Sequence, residues 1–185
     1  MPLHPLPMVD SVHTEFGFLR TVCACRECTL NCRYIPGYLI PADLDRMGRH
    51  LPPGEDLFAW AGQHLLASPG AKVMQQGRIF RIRTLVPARQ TNGACTFLTR
   101  DERCAIHAVA PYGCAFFDAH MTSSEADRRS MHGLQAVLEA WTRGDIYAQV
   151  WIALDGAGLR APAPEICRHQ LQQARHEARA PQRHP

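Results

Sequence analysis

Residues 22–32 read "VCACRECTLNC", so four of the chain's eight cysteines (Cys23, Cys25, Cys28 and Cys32) fall within eleven residues. Thiols this dense restrict the local fold to something that gathers sulfur. They form a disulfide framework in an oxidising compartment, or ligate a soft metal or act as redox thiols in a reducing one. The N-terminus, "MPLHPLPMVDSVHTEF", lacks the basic start and apolar run of a secretory signal. No stretch reaches the ~18 apolar residues of a membrane span. The expected location is therefore cytoplasmic, with no membrane span, and metal ligation is the preferred use of the cysteines.

The spacings narrow the framework. Cys25 and Cys28 form a C-x2-C pair, which can aim two thiolates and nearby backbone N–H groups at one centre. A bacterial ferredoxin run needs a third cysteine at position 31, which is Asn31. A radical S-adenosylmethionine motif begins with Cys28 and Cys32 but meets Ile35 where its last cysteine belongs. A zinc ribbon needs a second C-x2-C knuckle, and there is none. The remaining partners lie downstream at Cys95, Cys104 and Cys114. A metal joining them to the first cluster would close a long loop, so its binding energy would also be folding energy. Cys167 stands alone and reads as a buried core thiol. His107 and His120 lie near the downstream cysteines and read as packing or hydrogen-bonding residues.

Around these cysteines the chain reads as an α+β protein: a small single domain, mostly short helices, with a two- to three-stranded antiparallel sheet or hairpin and irregular loops around a cysteine metal site. Residues 1–15 read as an N-terminal arm, 16–178 as the cysteine-cluster domain and 179–185 as a frayed tail. The first cluster, 16–34, has few helical signals and reads as irregular backbone. "PADLDRMGRHL" opens with Pro41 at a first helical position and Asp43 in the first turn, which predicts a short helix. Leu57, Phe58, Trp60, Ala61, His64 and Leu65 recur at helical spacing up to Pro69–Gly70. "GRIFRIRTLV" (77–86) alternates and predicts one half-buried strand, and "ACTFL" (94–98) a second. Three helices follow: one from about Thr122 to Gly144, one over "DIYAQVWIALDGAG" and one from Pro164. At 46% hydrophobic residues, 185 residues supply a real core. The net charge of +3 is spread without a basic stripe, which argues against nucleic acid as a partner.

Taken together, "CRECTLNC", "LIPADLDRM", "GACTFL", "RCAIH" and "APYGCAFF" resemble the CxxCxxCC-type zinc- or iron-chelating cysteine-cluster family, the YkgJ-like proteins. The resemblance runs from about residue 25 to 117, half of the chain. It implies Cys25, Cys28, Cys32, Cys95, Cys104 and Cys114 as metal ligands. Four departures stand out. Asn31 replaces the first cysteine of the family's C-C pair, His107 a usual tyrosine, and Ala110 and Ala115 the arginines flanking the Pro111–Cys114 segment. Cys23 is extra and is a candidate for the thiolate missing at 31.

The functional expectation is a metal-binding protein whose cysteines hold an iron–sulfur cluster, [4Fe–4S] for preference, or zinc, serving electron transfer or redox sensing with a redox or protein partner. An alternative is a structural-zinc interaction module. A second alternative is a protein-modifying enzyme, since the cysteine pattern also resembles the flagellin lysine-methylating proteins. No nucleotide or S-adenosylmethionine fingerprint accompanies it, and no catalytic motif stands outside the cysteines.

Overall fold

The computed structural model describes residues 15–21, 23 and 25–179. The expected arm, apart from residue 15, and the expected tail, apart from residue 179, lie outside the described residues.

Short polar side chains cap three of the helices. Helix α1 (Arg26–Tyr34) begins after Cys25. Helix α2 (Pro41–Gly48) has Pro41 in its first turn, where a missing N–H costs nothing, and Asp43 accepts the Ile40 N–H at 2.8 Å. Asp56 caps α3 (Leu57–His64) by accepting the Ala59 N–H at 3.0 Å. A single turn, α4 (Tyr112–Ala115), precedes the long α5 (Ser123–Arg143), which Thr122 caps and Gly144 ends in the left-handed region at φ 63°. Asp145 then caps α6 (Ile146–Gly156), and α7 (Pro164–Arg179) runs beside α1. Among the described residues no helix is long and apolar enough to cross a membrane.

Four short strands form two antiparallel pairs. Strand β1 (Leu65–Ser68) pairs with β4 (Thr84–Pro87), with Leu65 opposite Pro87. Between them in sequence, β2 (Lys72–Gln75) pairs with β3 (Arg78–Arg81) through the two-residue turn Gln76–Gly77, both at positive φ. Such a turn matches the right-handed twist of the strands. The fold is thus α+β, with seven mostly short helices and two two-stranded sheets among the described residues.

Four local expectations change. The irregular backbone expected over 16–34 contains α1, because Arg26, Glu27, Leu30 and Arg33 are good helix formers, and Glu27 in the first turn and Arg33 in the last suit the helix ends. The helix expected to run to Pro69 stops at His64, since residues 65–68 pair with β4 instead. The single strand expected over 77–86 is two strands in different sheets, β3 exposed and β4 buried, broken at Ile82–Arg83. The strand expected at 94–98 forms only isolated bridges, Arg89 with Cys95 and Leu98 with Cys104. Its N–H groups are spent on turns and on the end of α1.

The core lies between α2, α3, α5, α6 and the β1–β4 pair. Leu39, Leu65, Leu85, Val137, Ala140, Tyr147 and Val150 are fully buried there. Tyr147 buries a polar atom without penalty, because its hydroxyl donates to the Leu39 carbonyl and accepts the Leu85 N–H, both at 2.8 Å. Asp43, equally buried, also accepts the Tyr112 N–H at 2.8 Å and pairs with Arg46. It fastens α2 to α4, and α4 carries Cys114.

Candidate metal centre

The start of α1 sets the first group of ligands. Cys25 occupies the position just before the helix and Cys28 lies in its first turn, so both thiols sit at the positive end of the helix dipole. The opposing wall is the loop ahead of α5. There His120 brings Nε2 to 3.2 Å from Cys25 Sγ, and the Ala119 N–H lies 3.4 Å from Cys28 Sγ. Thr21 and Asp118 hold the two walls together. The Thr21 hydroxyl donates to Asp118 Oδ2 at 3.0 Å and accepts the Cys23 N–H at 3.3 Å, while Asp118 Oδ1 accepts the His120 N–H at 2.8 Å. One short network therefore positions both Cys23 and His120.

As a result, the ligand atoms of Cys23, Cys25, Cys28 and His120 all lie within 4.8 Å of one another. The donor set fits a single ion. Around zinc, with Zn–S of about 2.3 Å, tetrahedral sulfurs stand roughly 3.8 Å apart, and three thiolates with one imidazole is a common structural set.

The charges agree with this. The Cys28 backbone N–H and the His120 imidazole stabilise the Cys25 thiolate and lower its pKa to about 6. The Cys25 partner in turn raises that of His120. Burial, followed by the neighbouring thiols, pushes Cys28 up to about 12. The site thus holds one ready thiolate at Cys25 next to the Cys28 thiol, whose proton a cation would displace.

The other four predicted cysteines stand elsewhere on the same helix and beyond it. Cys32 is one turn past Cys28, and its carbonyl accepts the Cys95 N–H at 2.8 Å. Cys95 and Cys104 flank the small bridge at Leu98, whose N–H donates to the Cys95 carbonyl at 3.0 Å. Cys114, on α4, accepts the Gly37 N–H at Sγ, 3.2 Å away. Cys95 belongs to the core and the other three pack against it. Burial raises all four pKa values, Cys95 to about 12 and Cys104 to about 11, and neighbouring thiols add to the shifts of Cys95, Cys104 and Cys114.

All eight cysteines are free thiols. Cys167 is buried in α7 and accepts from the Arg89 guanidinium at 3.1 Å. His107 presents its carbonyl to Arg20 at 2.7 Å.

Of the predicted ligands, then, the structure brings Cys25 and Cys28 together with Cys23 and His120. Cys32, Cys95, Cys104 and Cys114 are not part of that group. Cys23 was visible in the sequence as an extra thiol. His120, read from the sequence as a packing or hydrogen-bonding residue near the downstream cysteines, instead meets Cys25, 95 residues away. No family model, curated protein or solved structure matches the chain.

Proposed function

We propose that this is a metal-binding protein that holds one thiophilic ion, zinc by the chemistry of the donor set, on Cys23, Cys25, Cys28 and His120. The observation that carries the reading is the convergence of four ligand atoms from two distant segments within 4.8 Å. A bound ion would fasten the segment leading into α1 to the loop ahead of α5, and so stabilise the fold by its own binding energy. The resemblance to the YkgJ-like family supports a metal role in general and extends it to Cys32, Cys95, Cys104 and Cys114, with zinc or iron–sulfur as the cofactor. A reducing compartment such as the cytoplasm suits eight free thiols.

Redox sensing is the second reading, and the exposure of Cys23 favours it. A two-electron oxidant such as a peroxide can reach these sulfurs. Joining two of them as a disulfide would remove two ligands and release the ion, with the peroxide reduced to water or alcohol.

The test is the metal content of protein purified without oxygen, followed by competition with a chromogenic chelator. Wild type is expected to hold one zinc at this site. Cys25→Ser and His120→Ala are expected to weaken it by more than about 100-fold, beyond the roughly 10–100-fold lost when outer partners are removed. Wild-type protein that carries no metal and takes up none would end the proposal.

A further inference from the structure

We propose that the β2–β3 hairpin is a docking arm that takes up an extended, acidic segment of a partner protein as an added strand. The arm, Lys72 to Arg81, carries no cysteine or histidine, so the proposal stands independently of the metal reading.

The arm continues the buried β1–β4 pair past a break. Gly70, at φ 73°, comes so close to Ile82 that a Cβ would stand 1.6 Å from the Ile82 carbonyl oxygen. Arg83 anchors the stem, its guanidinium carbon 5.0 Å from the Trp151 ring centre and 5.5 Å from that of Trp141. Beyond the stem, β3 is exposed along its whole length. Met74 is 77% exposed, Ile79 69% and Phe80 40%. A two-stranded hairpin is marginal in water, and a third strand is the usual remedy.

The register shows what the arm offers. Gln75 opposes Arg78 across the two-residue turn, and Val73 opposes Phe80. Counted from such a turn, these pairs exchange both of their N–H···O bonds. The peptide groups of Lys72 and Met74 on one edge, and of Ile79 and Arg81 on the other, therefore face outward. Among the described residues no backbone hydrogen bond from another element reaches them. The side chains divide as well: Lys72, Met74, Ile79 and Arg81 share one face, and Arg78 and Phe80 the other. Exposed apolar side chains thus stand on both faces. A flat bilayer covers one face at a time, whereas a strand laid along an edge sends alternate side chains to both.

Charge selects the partner. Residues 57–100 contain no Asp or Glu, and the arm holds Lys72, Arg78 and Arg81. Arg81 already receives a carboxylate, with Glu165 Oε2 at 3.2 Å. Neither Lys72 nor Arg78 makes an ion pair among the described residues. Edge cations of this kind keep like edges apart, so a second copy is repelled and an acidic strand is drawn in.

The experiment titrates the full, isotope-labelled chain with a blocked peptide alternating Glu and Val, and reads amide shifts and exchange. Shifts confined to the arm are expected, with protection gained at Lys72 and Met74 or at Ile79 and Arg81. The Lys–Val counterpart should not bind. Proline at the central valine should abolish binding, because it removes a ladder donor without changing charge. Lys72→Glu combined with Arg78→Glu should weaken binding by more than about 10-fold, since like charges then face each other. Absence of shifts in the arm of wild-type protein would overturn the proposal, as would equal binding of the Lys–Val or the proline peptide. Preferential binding of the arm to phosphatidylserine vesicles or to a single-stranded oligonucleotide would overturn it in favour of a phosphate surface, and self-association through the arm in favour of a second copy. The peptide comparisons on unmutated protein decide the matter even where the double variant fails to fold.

Discussion

Cys25 Sγ and His120 Nε2 lie 3.2 Å apart, and that contact adds to the Cys28 N–H in setting the chemistry of the surface site. In the metal-free protein Cys25 is held near 6, first by the Cys28 N–H and then by the imidazole. A lowered thiol pKa means thiolate above that pH and thiol below it. Alkylation of Cys25 by iodoacetamide should therefore rise with a midpoint near pH 6, while Cys95 and Cys104, pushed up to about 12 and 11, stay unreactive well above neutrality. His120→Ala should move the Cys25 midpoint upward but not back to that of a free thiol, since the Cys28 N–H remains. Peptide mapping after pulse labelling reads each cysteine separately, and a wild-type midpoint near 9 would refute the assignment. Metal uptake follows the same signs: Cys28 must lose its proton to ligate, so affinity rises with pH and falls more steeply once Cys25 also protonates.

At the scale of elements, the helices carrying their own punctuation were legible from the residues alone. Pro41 and Asp43 mark α2, Thr122 and Gly144 bound α5, and Asp145 opens α6. What depends on distant partners was not. Residues 65–68 continue a helical pattern and become strand only because β4 lies opposite them, and 94–98 alternate like a strand but spend their hydrogen bonds on turns and on Cys32. The site divides the same way. The thiols announce themselves by type and spacing, but the split between Cys28 and Cys32 and the arrival of His120 arise from tertiary placement. The crossing of Gly37 and Gly113 is another such feature, and it yields a prediction. Gly37→Ala would force a Cβ into the Gly113 carbonyl and should destabilise the protein by about 1–3 kcal/mol, the usual penalty of overpacking. Gly156→Ala, at the end of α6 with open space around it, should be neutral or slightly stabilising. Urea midpoints at an unchanged slope would measure both, and equal midpoints for the two variants would refute the packing account.

Over the whole molecule, hydrophobic burial and sulfur overlap only in part: Cys95 lies in the core, with Cys32, Cys104 and Cys114 packed against it, while Cys23, Cys25 and Cys28 lie outside it. The fully buried side chains cluster where α2, α5, α6 and the β1–β4 pair meet, with Tyr147 joining the carbonyl of Leu39 to the N–H of Leu85. The cysteine-bearing segments are tied by scattered bonds rather than by a ladder: Thr21 N–H to the Ala115 carbonyl at 2.7 Å, Thr21 hydroxyl to Asp118, and Cys95 N–H to the Cys32 carbonyl. Segments with few ladder bonds open locally at lower free energy than a packed core. Metal bound only in the native state adds its binding energy to whatever the metal holds, by mass action. Stripping the metal with a chelator under reducing conditions should therefore raise amide exchange in α1, in 94–117 and in the loop at 118–122, while α5, α6 and the β1–β4 pair keep their protection. Protection that falls evenly across the chain would mean that the core itself depends on metal. Unchanged protection everywhere would mean that burial alone holds the cysteine segments in place, and that the sulfurs converge for a purpose other than binding an ion.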